Sequence, residues 1–143
     1  MKLTLKEEKK HELEVIIIYP ELDFNVKQLI DRVKGFNQSM SVYGEVGSCR
    51  INISHIYYID TVDRKVFIYT ENELYRSNKK LYQLEAELKE YGFVKVNKAC
   101  LLNRNKLKAL KNVYNSRLEA ELINGDKINV SRTYLPNIKK SLL

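Results

Sequence analysis

The stretch FVKVNKACLLNRNKLKALK, Phe93 to Lys111, has two jobs to do at once. Val94, Val96, Leu101, Leu102, Leu107 and Leu110 are apolar enough to feed a core. Lys95, Lys98, Arg104, Lys106, Lys108 and Lys111 lie between them, and the stretch holds no acidic residue. Val94-Lys95-Val96 alternates with a period of two, which is strand spacing: apolar side chains lock one face while the cations project from the other. The segment therefore predicts strands that hold positive charge on a rigid support.

The same alternation spreads outward. Upstream, short β-rich runs occur at Ser41–Glu45, Ser48–Ile53, Ile56–Asp60, Lys65–Thr70 and Glu73–Arg76, with turns at Gly44–Gly47, Thr61–Arg64 and Glu71–Asn72. Ser77 or Asn78 is placed to cap a helix whose Leu81, Leu84, Leu88 and Tyr91 share a face, and Gly92 ends it. Downstream, Leu107–Tyr114, Arg117–Ile123 and Lys127–Ser131 read as strands. Asn124-Gly125 is a strong hairpin signal between the last two, since both residues tolerate positive φ. A short helix over Pro136–Leu142 follows. At the front, Leu13–Tyr19 reads as a buried strand stopped by Pro20. Asp23 or Asn25 caps a helix lined by Val26, Leu29, Ile30 and Val33, with Gly35 as its left-handed C-terminal cap. The division is an amino-terminal strand–helix extension over 1–38, regulatory or merely packed against the rest, and a mainly antiparallel β domain over 39–143.

Charge is unevenly placed. Residues 1–63 hold eight Lys and Arg against ten Asp and Glu, a balance of −2, whereas residues 64–143 hold seventeen against eight, a balance of +9. A positive field gathered in one half suits a polyanionic partner. No apolar run approaches the length of a membrane span, and the leader MKLTLKEEKK has no apolar h-region, so a cytoplasmic protein without membrane insertion is expected. Cys49 and Cys100 read as small reduced hydrophobes.

Catalytic chemistry finds little support. His11 lies among charged residues and His55 at a strand entry, so with two scattered cysteines no metal-ligand set can be written, and no cofactor is expected. The five glycines are isolated, which rules out a phosphate-binding loop. Polar and basic groups instead gather at three turns: Asp63-Arg64-Lys65, Asn97-Lys98 with Asn103-Arg104, and Ser131-Arg132-Thr133. Arg and Lys neutralise phosphates, and Arg and Asn also read base edges.

The order Ile56-Tyr57-Tyr58-Ile59-Asp60, a strand, a leucine-lined helix, Phe93–Ala99, Leu102-Asn103, Asn124-Gly125 and Val130-Ser131-Arg132 resembles the LytTR-type DNA-binding domain of bacterial response regulators. The likeness spans about residues 39–143. It implies an elongated fold of three small antiparallel sheets with one long helix, whose loops enter successive major grooves. By position, Arg64 and Lys65 match its first DNA-facing loop, Asn97 and Lys98 its second, and Arg132 the loop after the last strand. Asn103 matches an asparagine that fixes a local turn. The family usually has His at Asn97, so the preferred sequence is expected to differ, and Ser at Ala99, where the lost hydroxyl removes a phosphate contact that Lys98 replaces. Only some 38 residues precede the domain, too few for a receiver, which implies a stand-alone member controlled by a partner protein or by self-association.

The expectation is a sequence-specific transcription regulator, not an enzyme. It binds double-stranded promoter DNA through Arg64, Lys65, Asn97, Lys98, Arg104 and Arg132, as a homodimer on paired repeats. The alternative is an adaptor whose basic patch binds an acidic protein.

Overall fold

The computed structural model describes residues 1–114 and 117–142, so position 143, the end of the expected second unit, lies outside the described residues. The strands are β1 (Ser39–Gly44), β2 (Gly47–Asn52), β3 (Tyr58–Val62), β4 (Lys65–Tyr69), β5 (Leu74–Ser77), β6 (Phe93–Asn97), β7 (Cys100–Asn103), β8 (Leu107–Val113), β9 (Arg117–Leu122) and β10 (Lys127–Val130). The helices are α1 (Phe24–Lys34), α2 (Leu81–Leu88) and α3 (Leu135–Leu142). The fold is mainly β and antiparallel throughout, as expected. Among the described residues the ten strands form two sheets, however, where the resemblance implied three. A seven-stranded sheet runs in the order β2-β1-β5-β4-β3-β7-β6, and a three-stranded sheet in the order β10-β9-β8. The merger occurs because the single pairing Tyr43↔Arg76 joins the β1–β2 hairpin to β5.

β7 decides where the cores lie. All four of its residues are buried, and the period of two sends them alternately to opposite faces. Leu101 joins a core with Val42, Ile59, Val66, Ile68, Leu84, Leu88 and Phe93, under α2. Cys100 and Leu102 join a second core with Val96, Ala120, Leu122, Val130 and Ile138, between the two sheets and α3. Burial pushes the Cys100 thiol up to about 12, with Asp60 adding to the shift, so it packs as an uncharged hydrophobe. Asn103, next in line, is buried as well. It donates from Nδ2 to the Ile56 carbonyl at 2.8 Å and accepts from the Asn105 N–H at 3.0 Å, which sets the short helical turn 104–106.

Local signals hold at some element ends and fail at others. Asp23 caps α1, its carboxylate accepting from the Val26 N–H at 2.9 Å. Gly35 follows α1 but is right-handed, at φ −83°; the left-handed residue is Asn37, at φ 57°. Ser77 still belongs to β5, so α2 starts at Leu81, and the N-cap is Lys80, whose N–H donates to Gln83 Oε1 at 2.8 Å. Gly92 closes that region at φ 91°. A side chain there would run into the Asp31 carboxylate, so this glycine is required twice over. In the β9–β10 turn only Gly125 takes positive φ, at 93°, with its N–H on the Leu122 carbonyl, which makes a three-residue connection where two residues were expected.

The largest departure is at the front. Residues 13–19 join neither sheet and are mostly exposed. Their β-branched composition favours extended backbone, but a strand needs a neighbouring edge to pair with, and no edge of the described fold takes this one. α1, in contrast, is firmly attached. Its Asp31 is paired with Arg104, and Lys27 Nζ donates to the Lys140 carbonyl at 3.1 Å.

Candidate nucleic-acid interface

Register brings three of the sequence-predicted turns to one end of the large sheet. β3 and β4 pair down to Val62↔Lys65, leaving Asp63 and Arg64 as a two-residue turn with φ of 50° and 65°. Two left-handed residues in succession match the twist of the flanking strands, and the ladder holds Arg64 in a conformation it would not otherwise favour. β3 also pairs with β7, ending at Asp60↔Cys100, and the Thr61 N–H then donates to the Ala99 carbonyl at 2.8 Å. The β3–β4 turn therefore lies beside the β6–β7 turn, which holds Lys98 and Ala99. On the far side of β6, the Ser131 N–H donates to the Val96 carbonyl at 2.9 Å, so the chain leaves β10 beside the same turn. Arg64, Lys65, Lys98 and Arg132 are exposed along this end.

Asn97 holds the arrangement together. Its Nδ2 donates to the Asn129 carbonyl at 2.8 Å and its Oδ1 accepts from the Ala99 N–H at 2.8 Å. One side chain thus shapes the β6–β7 turn and ties β6 to the small sheet. A register shift between Lys95 and Asn97 aims it there. Asn97→Ala is expected to lower stability by about 1–3 kcal/mol, measured as a shift in the denaturant midpoint, because two hydrogen bonds go with it. An unchanged midpoint combined with weaker DNA binding would leave Asn97 as a base contact alone.

An open groove of about 590 Å³ lies beside this turn, lined by Asn97, Arg117, Leu118, Asn129, Val130, Ser131 and Arg132. Arg117 was not anticipated. The signal was available in register: Val130 pairs with Leu118, so the residue before Leu118 sits level with the exit of β10.

The six cations of Phe93–Lys111 do not act together. Lys95 lies over the Tyr134 ring at 5.6 Å and Lys106 over the Tyr57 ring at 4.9 Å. Burial lowers the Lys106 pKa, and the nearby Arg32 charge lowers it further. Lys108 and Lys111 approach the Glu121 carboxylate at 3.9 and 2.7 Å. The hydrogen bond to Lys111 lowers the Glu121 pKa and raises that of Lys111. Lys98 alone of the six makes no ion pair or ring contact among the described residues.

Arg104 was expected at the DNA surface and is found elsewhere. Its Nε and Nη2 donate to the two Asp31 oxygens at 2.8 and 2.9 Å, and Nη1 donates to Ser141 Oγ at 3.1 Å. The guanidinium is consumed in binding α1 and α3 to the domain. Asn103 is buried at the turn described above, and Asn124 and Gly125 lie in the β9–β10 turn, at the opposite end of β9 from Arg117.

Among the described residues no cluster of His, Cys, Asp and Glu is arranged to hold a metal, and no helix is long and apolar enough to cross a membrane. The family model of the LytTr DNA-binding domain matches residues 47–143. The chain belongs to the LytTR family.

Relatives agree with this membership. The sensory transduction protein LytT of Bacillus cereus is 34% identical over 92 residues, covering 64% of this chain and 37% of that protein. LytT of Enterococcus faecalis is 26% identical over 106 residues, covering 74% of this chain and 44% of that protein. The chain thus spans less than half the length of these LytT proteins. An HTH-type transcriptional regulator of Staphylococcus aureus (strain MSSA476) is 26% identical over 145 residues, covering 99% of this chain and 98% of that one. A solved LytTr DNA-binding domain from Bacillus cereus shares the fold, with a TM-score of 0.68, 21% identity and coverage of 74% of this chain and 97% of that one. The LytTR domain is a DNA-binding domain, and this chain carries one.

Proposed function

We propose that the protein is a sequence-specific transcription regulator that reads promoter DNA in the major groove through its basic turns. The observation that supports this most is the convergence of Arg64-Lys65, Lys98 and Arg132 on one sheet end, each turn tied to the next by a backbone hydrogen bond. The strands act as stiff supports, so the cationic tips keep their spacing without a recognition helix. In this reading Lys98 and Lys65 neutralise phosphate, Arg132 and Arg64 face base edges, and Asn97 orients the second loop. Two copies occupy paired repeats, a regulatory partner protein supplies the input, and the protein works in the cytoplasm without catalysis.

Selection of bound fragments from a random duplex pool tests the proposal. A recurring short motif is expected, with a spacing that reports how many copies bind. Affinity for it should fall with salt by about 0.9 log units per log unit of salt for each phosphate neutralised. An adaptor that uses the same patch for an acidic protein would retain no duplex even at low salt, and that result would overturn the proposal.

A further inference from the structure

The arm Leu13-Glu14-Val15-Ile16-Ile17-Ile18-Tyr19 is β-prone in composition, mostly exposed and outside every ladder of the described fold. Its large side chains face water: Leu13 is 90% exposed, Ile16 73% and Ile18 93%. Leaving such a run in water is costly, since each Å² of apolar surface covered is worth roughly 25 cal/mol. Its backbone N–H and C=O groups also offer a ready template for strand pairing.

We propose that this arm pairs with the same arm of a second copy, antiparallel about a two-fold axis at Ile16, making the protein a dimer in the absence of DNA. The run suits its own reversal. In that register Ile16 meets Ile16, Val15 meets Ile17 and Leu13 meets Tyr19, so apolar side chains oppose one another along the ladder. Glu14 meets Ile18 one pair inside each end, and is the one charged residue of the ladder. Pro20, which has no N–H, ends the pairing opposite Glu12. Beyond it, Lys9, Lys10 and His11 of one copy approach Glu21 and Asp23 of the other, an opposition of charge that parallel pairing would not give.

A two-fold contact closes on itself and stops at two copies. Only residues 20–23 separate the arm from α1, which the Asp31–Arg104 pair fixes to the DNA-binding domain, so arm pairing ties two such domains together. The inference does not depend on what the domains bind.

The test is light scattering on the full chain after size exclusion, without DNA. The parent is expected at twice the mass of one chain and the double variant Ile16→Lys/Ile18→Lys at the mass of one. The variant's circular dichroism and melting should be unchanged at matched monomer state, because the arm contributes nothing to either core. In a Cys49→Ser background, Ile16→Cys should cross-link to a dimer under mild oxidation and Leu5→Cys should not. A monomeric parent, growth beyond two copies, a dimeric double variant, or equal cross-linking at both positions would overturn the proposal. So would a monomeric chain whose arm instead carries it onto phosphatidylglycerol vesicles.

Discussion

Arg104→Ala is expected to destabilise the protein by about 3–5 kcal/mol, a fall in melting temperature on the order of 10 °C. The Asp31 side chain is 4% exposed and that of Arg104 16%. Two parallel N–H···O bonds at 2.8 and 2.9 Å join them, and Asn105 Nδ2 adds a third donor to Asp31 at 3.2 Å. Truncating the arginine leaves a buried carboxylate with one neutral donor, and the cost is that stranded charge more than the missing attraction. It also frees Ser141 Oγ, and with it one tie between α3 and the 104–106 turn. Arg104→Lys should recover only part, because an ammonium cannot engage both oxygens in the same planar fork. Asp31→Leu/Arg104→Met should recover most, since no charge is then buried. Thermal melts of the four proteins decide the matter. If Arg104→Ala melted like the parent but bound DNA more weakly, the guanidinium would be a DNA contact after all.

Arg104 also marks where sequence reading fails. From the chain alone it was one of several cations in a basic stretch, and its partner lies 73 residues upstream on a helix assigned to a separate extension. Pairing over that distance leaves no local pattern. Asn97 shows the same limit in milder form: its acceptor, Asn129, is fixed by how the two sheets meet, not by anything in VNKA. Features with a local cause were legible. The alternation of Phe93–Val96 and Cys100–Leu102, the capping carboxylate of Asp23 and the end of the helical region at Gly92 each follow from a few neighbouring residues. The Leu13–Tyr19 run lies between these cases. Its β-prone composition was legible, but strand status requires an edge, and that edge is absent from the described fold of a single copy. The number of sheets depended likewise on one long-range pairing, Tyr43 with Arg76.

The combined variant Arg64→Asn/Lys98→Ala/Arg132→Ala is expected to bind its specific DNA more weakly by roughly a thousandfold or more, at about 1–3 kcal/mol for each side chain removed. Asparagine is chosen at position 64 because it tolerates the left-handed backbone there. The slope of affinity against salt should fall by roughly one for each phosphate that is no longer neutralised. All three side chains are exposed, and melting should stay close to the parent's. The decisive control removes as much charge from another place. Lys108, Lys111 and Lys127 all act on Glu121, and Lys108→Ala/Lys111→Ala/Lys127→Ala takes the same three positive charges from around that carboxylate. If affinity came from net charge alone, the two triple variants would weaken binding equally and to the same extent on every sequence. If it comes from tips held at the end of a stiff sheet, the first should fail on the cognate motif while the second keeps it. Equal weakening would show that the sheet end has no special part in reading DNA.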